Sequence, residues 1–346
     1  SCGGCDWQHL RLADQRAAKQ AILGEQLTHM GRQERVPLLP TAGAEAWGYR
    51  STARLHIAGE LMGFYAAGGR KIVPLEQCPL LDPALNEAIA ALRGLLPIPG
   101  LREATIRAST TTGRLHALLD GQGGPAWGQL ARDWRAAVPA LSGVSAVARN
   151  GWRMLAGAPY LEERMGDVLL RVSPTSFFQA NVERARAVLA ELERLLALTP
   201  EAALLDAFCG VGTFVLPLGR RVSRAWGIEE NPAAIADAQA SASAHSIANV
   251  TLIAGKVEDQ IGELAGRIDI AVLDPPRRGC EESTLAALLR MAPRQIAYVS
   301  CHPGTLARDI RALSAGGYGV RSAQPFDFFP QTAHIESLVL MEREPA

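Results

Sequence analysis

Ala203-Leu204-Leu205-Asp206-Ala207-Phe208-Cys209-Gly210-Val211-Gly212-Thr213-Phe214 decides how the carboxyl-terminal half folds. An apolar run ends on an acid, two glycines follow, and a helical pattern begins. Glycines at such a turn let backbone amides approach a ligand, and the next helix presents its positive end there. The dinucleotide fingerprint Gly-x-Gly-x-x-Gly is not completed, because Val215 stands at the third site. The next apolar run ends Gly227-Ile228-Glu229, which places an acid where ribose hydroxyls are bound in such folds.

Outward from this loop, strands alternate with helices. The strands are read at 202–208, 225–229, 250–253, 268–274 and 296–301, with a final pair at 318–323 and 334–342. A helix over 181–198 precedes them. This pattern predicts an α/β fold with a doubly wound, largely parallel sheet. Upstream the texture differs. A helical stripe over 12–32 gives way to a stretch with prolines and glycines from Pro37 to Gly48. Short strands and turns then fill about 50–173, with one helix near 83–95. That region reads as a mostly antiparallel β domain. The expected division is 1–175 and 176–346, with helix 12–32 packing on the second part; a length of 346 residues suits two domains of about 150 each.

Composition narrows the class without choosing a substrate. Hydrophobic residues make up 48% and charged residues 20%, as in a globular protein. No apolar run reaches the roughly 18 residues of a membrane span, and the amino terminus does not read as a signal peptide. Basic and acidic residues number 35 each, so net charge neither supports nor excludes nucleic acid. Six unevenly spaced cysteines argue against a disulfide framework and for a reducing cytoplasm.

The chemistry-bearing residues lie where the strands end. Asp274-Pro275-Pro276-Arg277 follows the fourth strand, and with the glycine loop and Glu229 it resembles the S-adenosylmethionine site of class I methyltransferases. Cys301, in Tyr298-Val299-Ser300-Cys301-His302-Pro303, sits between a strand and a helix start. A helix amino terminus is expected to lower the thiol's pKa. Taken alone, Cys301 reads more readily as a small buried hydrophobe than as a nucleophile, and Glu336 more readily as a solvated acid than as a base.

Five ordered motifs carry a closer resemblance. Ser300–Asp309, Asp327–Glu336, Asp274–Gly279, Ser176-Phe177-Phe178-Gln179-Ala180-Asn181 and the loop at 206–214 resemble the RNA 5-methyluridine methyltransferases. The match is closest to the iron–sulfur 23S rRNA (uracil-5-)-methyltransferases, without their amino-terminal small β-barrel. The resemblance implies a nucleophile at Cys301 and a base at Glu336. It implies cofactor contacts from Gln179, Phe208, Gly210, Gly212, Thr213, Glu229 and Asp274. His302 and Thr213 depart from it, since asparagine is common at both positions. Arg277 after the paired prolines speaks against cytosine-C5 and N6-adenine methylation.

Cys2, Cys5 and Cys78 form a separate set. Three thiolates suit zinc or an iron–sulfur centre; the resemblance favours [4Fe-4S], either with a fourth cysteine at a position before residue 1 or with three protein ligands. It also favours rRNA over tRNA as the partner of a cytoplasmic monomer. Arg50, Arg54, Arg70, Lys71, Arg107, Arg149 and Arg153 are candidate phosphate contacts, and Phe64, Tyr65 and Trp152 candidate stacking groups. Two alternatives stand beside this reading: a tRNA uracil-C5 enzyme, and a non-catalytic RNA-binding iron–sulfur protein.

Overall fold

The computed structural model describes residues 2–43, 45–148, 151–264 and 266–345. Arg149, one of the candidate phosphate contacts, lies outside them. The chain divides into two compact units, 1–9 with 45–164 and 171–182, and 10–44 with 165–170 and 183–346. The division is therefore not a single cut. Helix α1 (Leu12–His29), early in the chain, belongs to the second unit.

The first unit is built on a seven-stranded sheet. Its strands are β1 (Thr52–Ala58), β2 (Leu61–Tyr65), β3 (Ile72–Pro74), β4 (Leu101–Ala108), β5 (Leu115–Gly121), β6 (Leu141–Ala148) and β7 (Gly151–Gly157). The order is β3-β2-β1-β4-β5-β6-β7, antiparallel except for the parallel pair β5–β6. A parallel pair needs a crossover, and α3 (Ala126–Ala137) supplies it. Sequence reading anticipated α2 (Pro83–Gly94) but overlooked α3. Its signal is present: Trp127, Leu130, Ala131 and Trp134 are spaced i, i+3, i+4, i+7 and all are buried. The two indoles are held as well as buried, with Trp127 donating to Pro99 O at 3.1 Å and Trp134 to Ala88 O at 2.9 Å.

A two-stranded ribbon, β8 (Leu161–Met165) and β9 (Val168–Val172), and α4 (Val182–Leu195) follow. The second unit then alternates β10 (Ala203–Asp206), α5 (Val215–Gly219), β11 (Arg224–Glu229), α6 (Pro232–Ala244), β12 (Val250–Ala254), α7 (Val257–Gln260), β13 (Ile270–Leu273), α8 (Glu282–Met291), β14 (Gln295–Ser300) and α9 (Pro303–Ala315). It ends in the hairpin β15 (Tyr318–Phe326) and β16 (Glu336–Arg343).

The sheet order is β12-β11-β10-β13-β14-β16-β15. β10 to β14 are parallel, while β16 runs antiparallel to both neighbours. This is the class I methyltransferase fold. Strand order reverses between β10 and β13, and in open α/β sheets ligands bind outside the carboxyl ends of the strands at that point. Buried on every residue, β10 and β13 are continuous apolar runs apart from the closing acid.

Helix α1 joins this core through Leu23 and Leu27, both fully buried in one cluster with Leu306, Ile310 and Leu313 of α9. Each such leucine contributes about 1.5–3 kcal/mol. Residues 37–42 then run along the sheet's outer edge. Leu39 N donates to Ala323 O at 2.8 Å and Ala42 N to Pro325 O at 2.8 Å, covering β15, which would otherwise be an open edge.

Candidate active site

The carboxyl edge of the second sheet collects most of the predicted site residues. Along β14 and β16 the register pairs Val299 with Leu338 and Ser300 with Ser337. That pairing ends at Ser300–Ser337, so Cys301 and Glu336 are the residues that flank its last pair; Glu336 pairs with Phe326 on its other side, and its charge acts on the Cys301 thiol. Sheet register alone thus makes neighbours of two residues far apart in sequence.

Their environment is unlike the one sequence reading predicted. The Cys301 thiol is not lowered by the following helix. It is pushed up to about 11 by burial, then by Glu336 and Asp274, with Arg277 acting in the opposite direction. Glu336 is held well above the usual carboxylate range by burial and by Asp274, again opposed by Arg277. Two carboxyl groups and a desolvated thiol share a field with one guanidinium, so Cys301 and Glu336 both hold a proton more tightly than they would in water.

His302, the departure that sequence analysis left without a role, caps α9. Its Nδ1 accepts from Thr305 N at 3.2 Å, with Pro303 at the first helical position. An asparagine carboxamide would fill the same cap, so imidazole replaces it without altering the helix start. The Thr305 hydroxyl donates to Arg277 O at 3.1 Å. Arg308 donates to the carbonyls of Arg278 and Cys280 at 3.0 and 3.1 Å. Asp309, fully buried, accepts from Cys280 N at 2.8 Å and from the Tyr298 hydroxyl at 2.6 Å. The first turns of α9 therefore hold the Asp274–Gly279 loop. Sequence reading quoted Thr305, Arg308 and Asp309 within a motif and gave them no role, because nothing in a linear string shows which loop a helix faces.

The glycine loop leaves β10 beside this group. Gly210 and Gly212 have φ of +55° and +88°. A side chain at Gly212 would also strike Leu216 at 2.7 Å, whereas one at Gly210 would meet open space. The loop's crest is thus clear for a ligand. Glu229 closes the end of β11, its Oε2 accepting from Gly210 N at 3.2 Å and its Oε1 from Asn231 N at 2.7 Å. Asp206 is wholly buried and pushed up to about 8 by burial and by Asp274; the amides of Phe208 and Val215 act against that shift. Phe208, Thr213 and Asp274 are half-buried at the same edge. Gln179 belongs to the first unit, half-buried before α4, where Ser51 N donates to Ala180 O at 2.7 Å beside it.

In the first unit, Cys2, Cys5 and Cys78 are all half-buried. Cys2 bridges Ala66 in antiparallel fashion, and Asn86 brackets Cys78 by bonds of 2.9 and 3.0 Å to its backbone. The Cys5 thiol is raised by burial and then by Cys2 and Cys78, so the three occupy one region. Yet among the described residues no group of three or more His, Cys, Asp or Glu is placed to hold a metal ion.

Several candidate RNA contacts also have local partners. Arg107 donates to Ser173 O at 3.3 Å and Ser176 O at 2.8 Å. Arg54 pairs with Glu103, and Tyr65 stacks on His56 with ring centroids 3.5 Å apart. Arg70, Lys71 and Arg153 are exposed. Among the described residues, no helix is long and apolar enough to cross a membrane.

Residues 129–344 match the family described as tRNA (uracil-5-)-methyltransferase. The chain belongs to this family. An uncharacterized RNA methyltransferase of Thermosynechococcus vestitus is 35% identical over 368 residues, covering 98% of this chain and 82% of that protein. Another, from Halalkalibacterium halodurans, is 31% identical over 372 residues, covering 99% and 81%. Among solved structures, the Pyrococcus abyssi tRNA (uracil-54, C5)-methyltransferase in complex with S-adenosyl-L-homocysteine superposes with a TM-score of 0.79. It is 24% identical and covers 98% of this chain and 86% of its own, a likeness that concerns the fold.

Proposed function

We propose that this protein transfers a methyl group from S-adenosylmethionine to C5 of a uridine in RNA, with Cys301 as nucleophile and Glu336 as base. The observation that carries the reading is the pairing of β14 with β16, whose last pair, Ser300–Ser337, is flanked by Cys301 and Glu336, both within the field of Asp274 and Arg277. Family membership and the sequence motifs support it.

Uracil C5 is a weak nucleophile. The Cys301 sulfur adds at C6, its proton leaves to solvent, and the ring's C5=C6 electrons become an enolate. S-adenosylmethionine, when bound, would supply the electrophilic methyl group: the C5–CH3 bond forms as the S–CH3 bond breaks, and the electron pair of that bond leaves with S-adenosylhomocysteine. Glu336 then takes the C5 proton, the C5–H electrons re-form C5=C6, and the C6–S bond breaks to release Cys301. Arg277 favours the charged forms of both residues, thiolate and carboxylate, which is the state each needs. Phe208, Gly210, Gly212, Thr213, Glu229 and Asp274 would hold the methyl donor. The open crest at Gly210 and the Glu229 carboxylate at the end of β11 fit that role; Gln179 joins them on resemblance. The target base must leave its stack to reach Cys301.

We assign 1–175 to RNA recognition and a cysteine-ligated centre, and 176–346 to methyl transfer. Three neighbouring thiols have the donor chemistry of an iron–sulfur or zinc centre, although their arrangement is not closed around an ion. No step above passes through it. Iron and sulfide analysis of anaerobically purified protein tests it, and a colourless, iron-free sample would reject the [4Fe-4S] reading. We read the enzyme as a cytoplasmic monomer.

The cysteine trio is the reason for preferring 23S rRNA as substrate. The family's description and the P. abyssi enzyme support tRNA as the second reading. Mapping 5-methyluridine across rRNA and tRNA in a strain lacking this protein decides between them. Loss from neither pool would favour a non-catalytic RNA-binding protein.

A further inference from the structure

The geometry points to helix α1 as the device that positions Glu336. This rests on the proposed role of Glu336 and extends it to residues on an element remote in sequence. Glu336 is the first residue of β16, so its side chain goes wherever the preceding loop, 327–335, delivers the chain. A one-residue slip there would turn the carboxylate to the other face of the sheet.

That loop is tied at both ends of its turn by polar side chains of α1. At its start, fully buried Asp327 accepts from fully buried Lys19 Nζ at 2.7 Å and from Arg16 Nε at 3.3 Å. Lys19 Nζ reaches further and donates to Phe329 O at 2.9 Å. Four residues beyond Asp327, Gln331 holds a left-handed backbone, φ +69°, which a residue with a side chain adopts only when its surroundings enforce it. Gln15 provides the enforcement. Its Oε1 accepts from Gln331 N at 2.8 Å, and its Nε2 donates to Gln331 Oε1 at 2.9 Å, with both residues buried. The loop's own hydroxyl bond, Thr332 Oγ1 to Phe329 O at 2.8 Å, closes the turn between these anchors.

Stability does not account for this arrangement. Taking a lysine and an aspartate out of water costs about as much as their attraction returns, and apolar residues of similar volume often serve the fold equally well. What the pair and the amide couple provide is a single path for the loop. They are positioning residues, since none of them is a nucleophile or a base in the reaction. The step sensitive to them is the one Glu336 performs. Removal of the C5 proton requires the carboxylate within hydrogen-bond reach of that proton, whereas formation of the C6–S bond depends on Cys301, held by β14 and the start of α9.

The test follows the lifetime of the covalent enzyme–RNA adduct. Total RNA from a strain lacking this protein is incubated with S-adenosylmethionine and enzyme, and the adduct is read as a mass shift on a denaturing immunoblot. The variants are Gln15→Ala, which removes no charge, and Lys19→Met combined with Asp327→Leu, which replaces the ion pair by apolar residues. Each is confirmed as folded by circular dichroism and melting, and Gln15→Ala decides the matter if the double variant fails to fold. Glu336→Gln and Cys301→Ala run alongside. The expected result is unchanged adduct formation and unchanged KM for RNA, with resolution slowed about 10- to 100-fold, so that adduct accumulates. A uniform loss of stability would lower formation and resolution together and leave no accumulation. If Glu336→Gln traps adduct while the α1 variants resolve it at the wild-type rate, or lose both steps equally, the positioning role is overturned and the base assignment stands. If Glu336→Gln traps nothing, the base assignment falls, and this inference with it.

Discussion

Cys301 and the trio Cys2, Cys5 and Cys78 are thiols of the same exposure class held by opposite means. Cys301 is placed by the ladder of a seven-stranded sheet and by a capped helix. The trio stands outside the helices and strands, secured by an isolated bridge and one asparagine side chain. The fields differ too. Burial raises both Cys301 and Cys5, but the charges that add to it differ: carboxylates of the site at Cys301, chiefly other thiols at Cys5. Regular structure can fix a reacting atom against a partner; irregular segments leave a ligand set to be closed by what it binds.

The sharpest way to break this comparison is to remove each thiol in turn. Cys301→Ala should lower methyl transfer by about four orders of magnitude or more and abolish the adduct. Cys5→Ser should lose bound iron yet methylate RNA within about tenfold of wild type, as expected of a group outside the chemistry. Equal losses in a single-turnover assay would dissolve the distinction between the two regions.

Next in size is Glu336→Gln, which should slow turnover by about 10²- to 10⁴-fold and leave adduct standing on a denaturing gel. Free turnover in that variant would separate Glu336 from the proton transfer.

Third is pH. With its thiol pushed up to about 11, Cys301 is protonated at neutrality, so the single-turnover rate should climb with pH through the alkaline range. Arg277 favours the thiolate. Arg277→Gln should therefore displace the rising limb to higher pH and reduce the rate at pH 8, tenfold for each unit of displacement. A limb that stays in place would show that the guanidinium does not act on the sulfur.

Smallest is the cap beside Cys301. His302→Asn should melt as the wild type does, while His302→Ala should cost about 1 kcal/mol in a urea titration. A larger loss in the asparagine variant would mean that the imidazole does more than cap α9.

Much of this was legible beforehand. The glycine loop, Glu229, the paired prolines and Cys301 could be placed at strand ends because apolar runs and turn residues have local signatures. Helix α3 was missed although its two tryptophans carry the right spacing. The thiol's protonation was misjudged for a different reason. A helix start can be read from Pro303, but the burial that outweighs it, and the two carboxyl groups that add to it, come from strands whose pairing is not written in any window of sequence. His302 could not be interpreted for the same reason: its function depends on which amide lies within reach.

By itself the sequence determined the element types, the loop that glycine permits and the residues capable of nucleophilic and base chemistry, all consequences of local backbone preference and side-chain identity. Only the tertiary structure decided that β16 enters the sheet between β14 and β15, and with it that Glu336 and Cys301 flank the last pair of one ladder. It also brought α1 to the loop before Glu336. Register and packing are global properties, settled by which surfaces can be buried together, and they turn separate capable residues into one site.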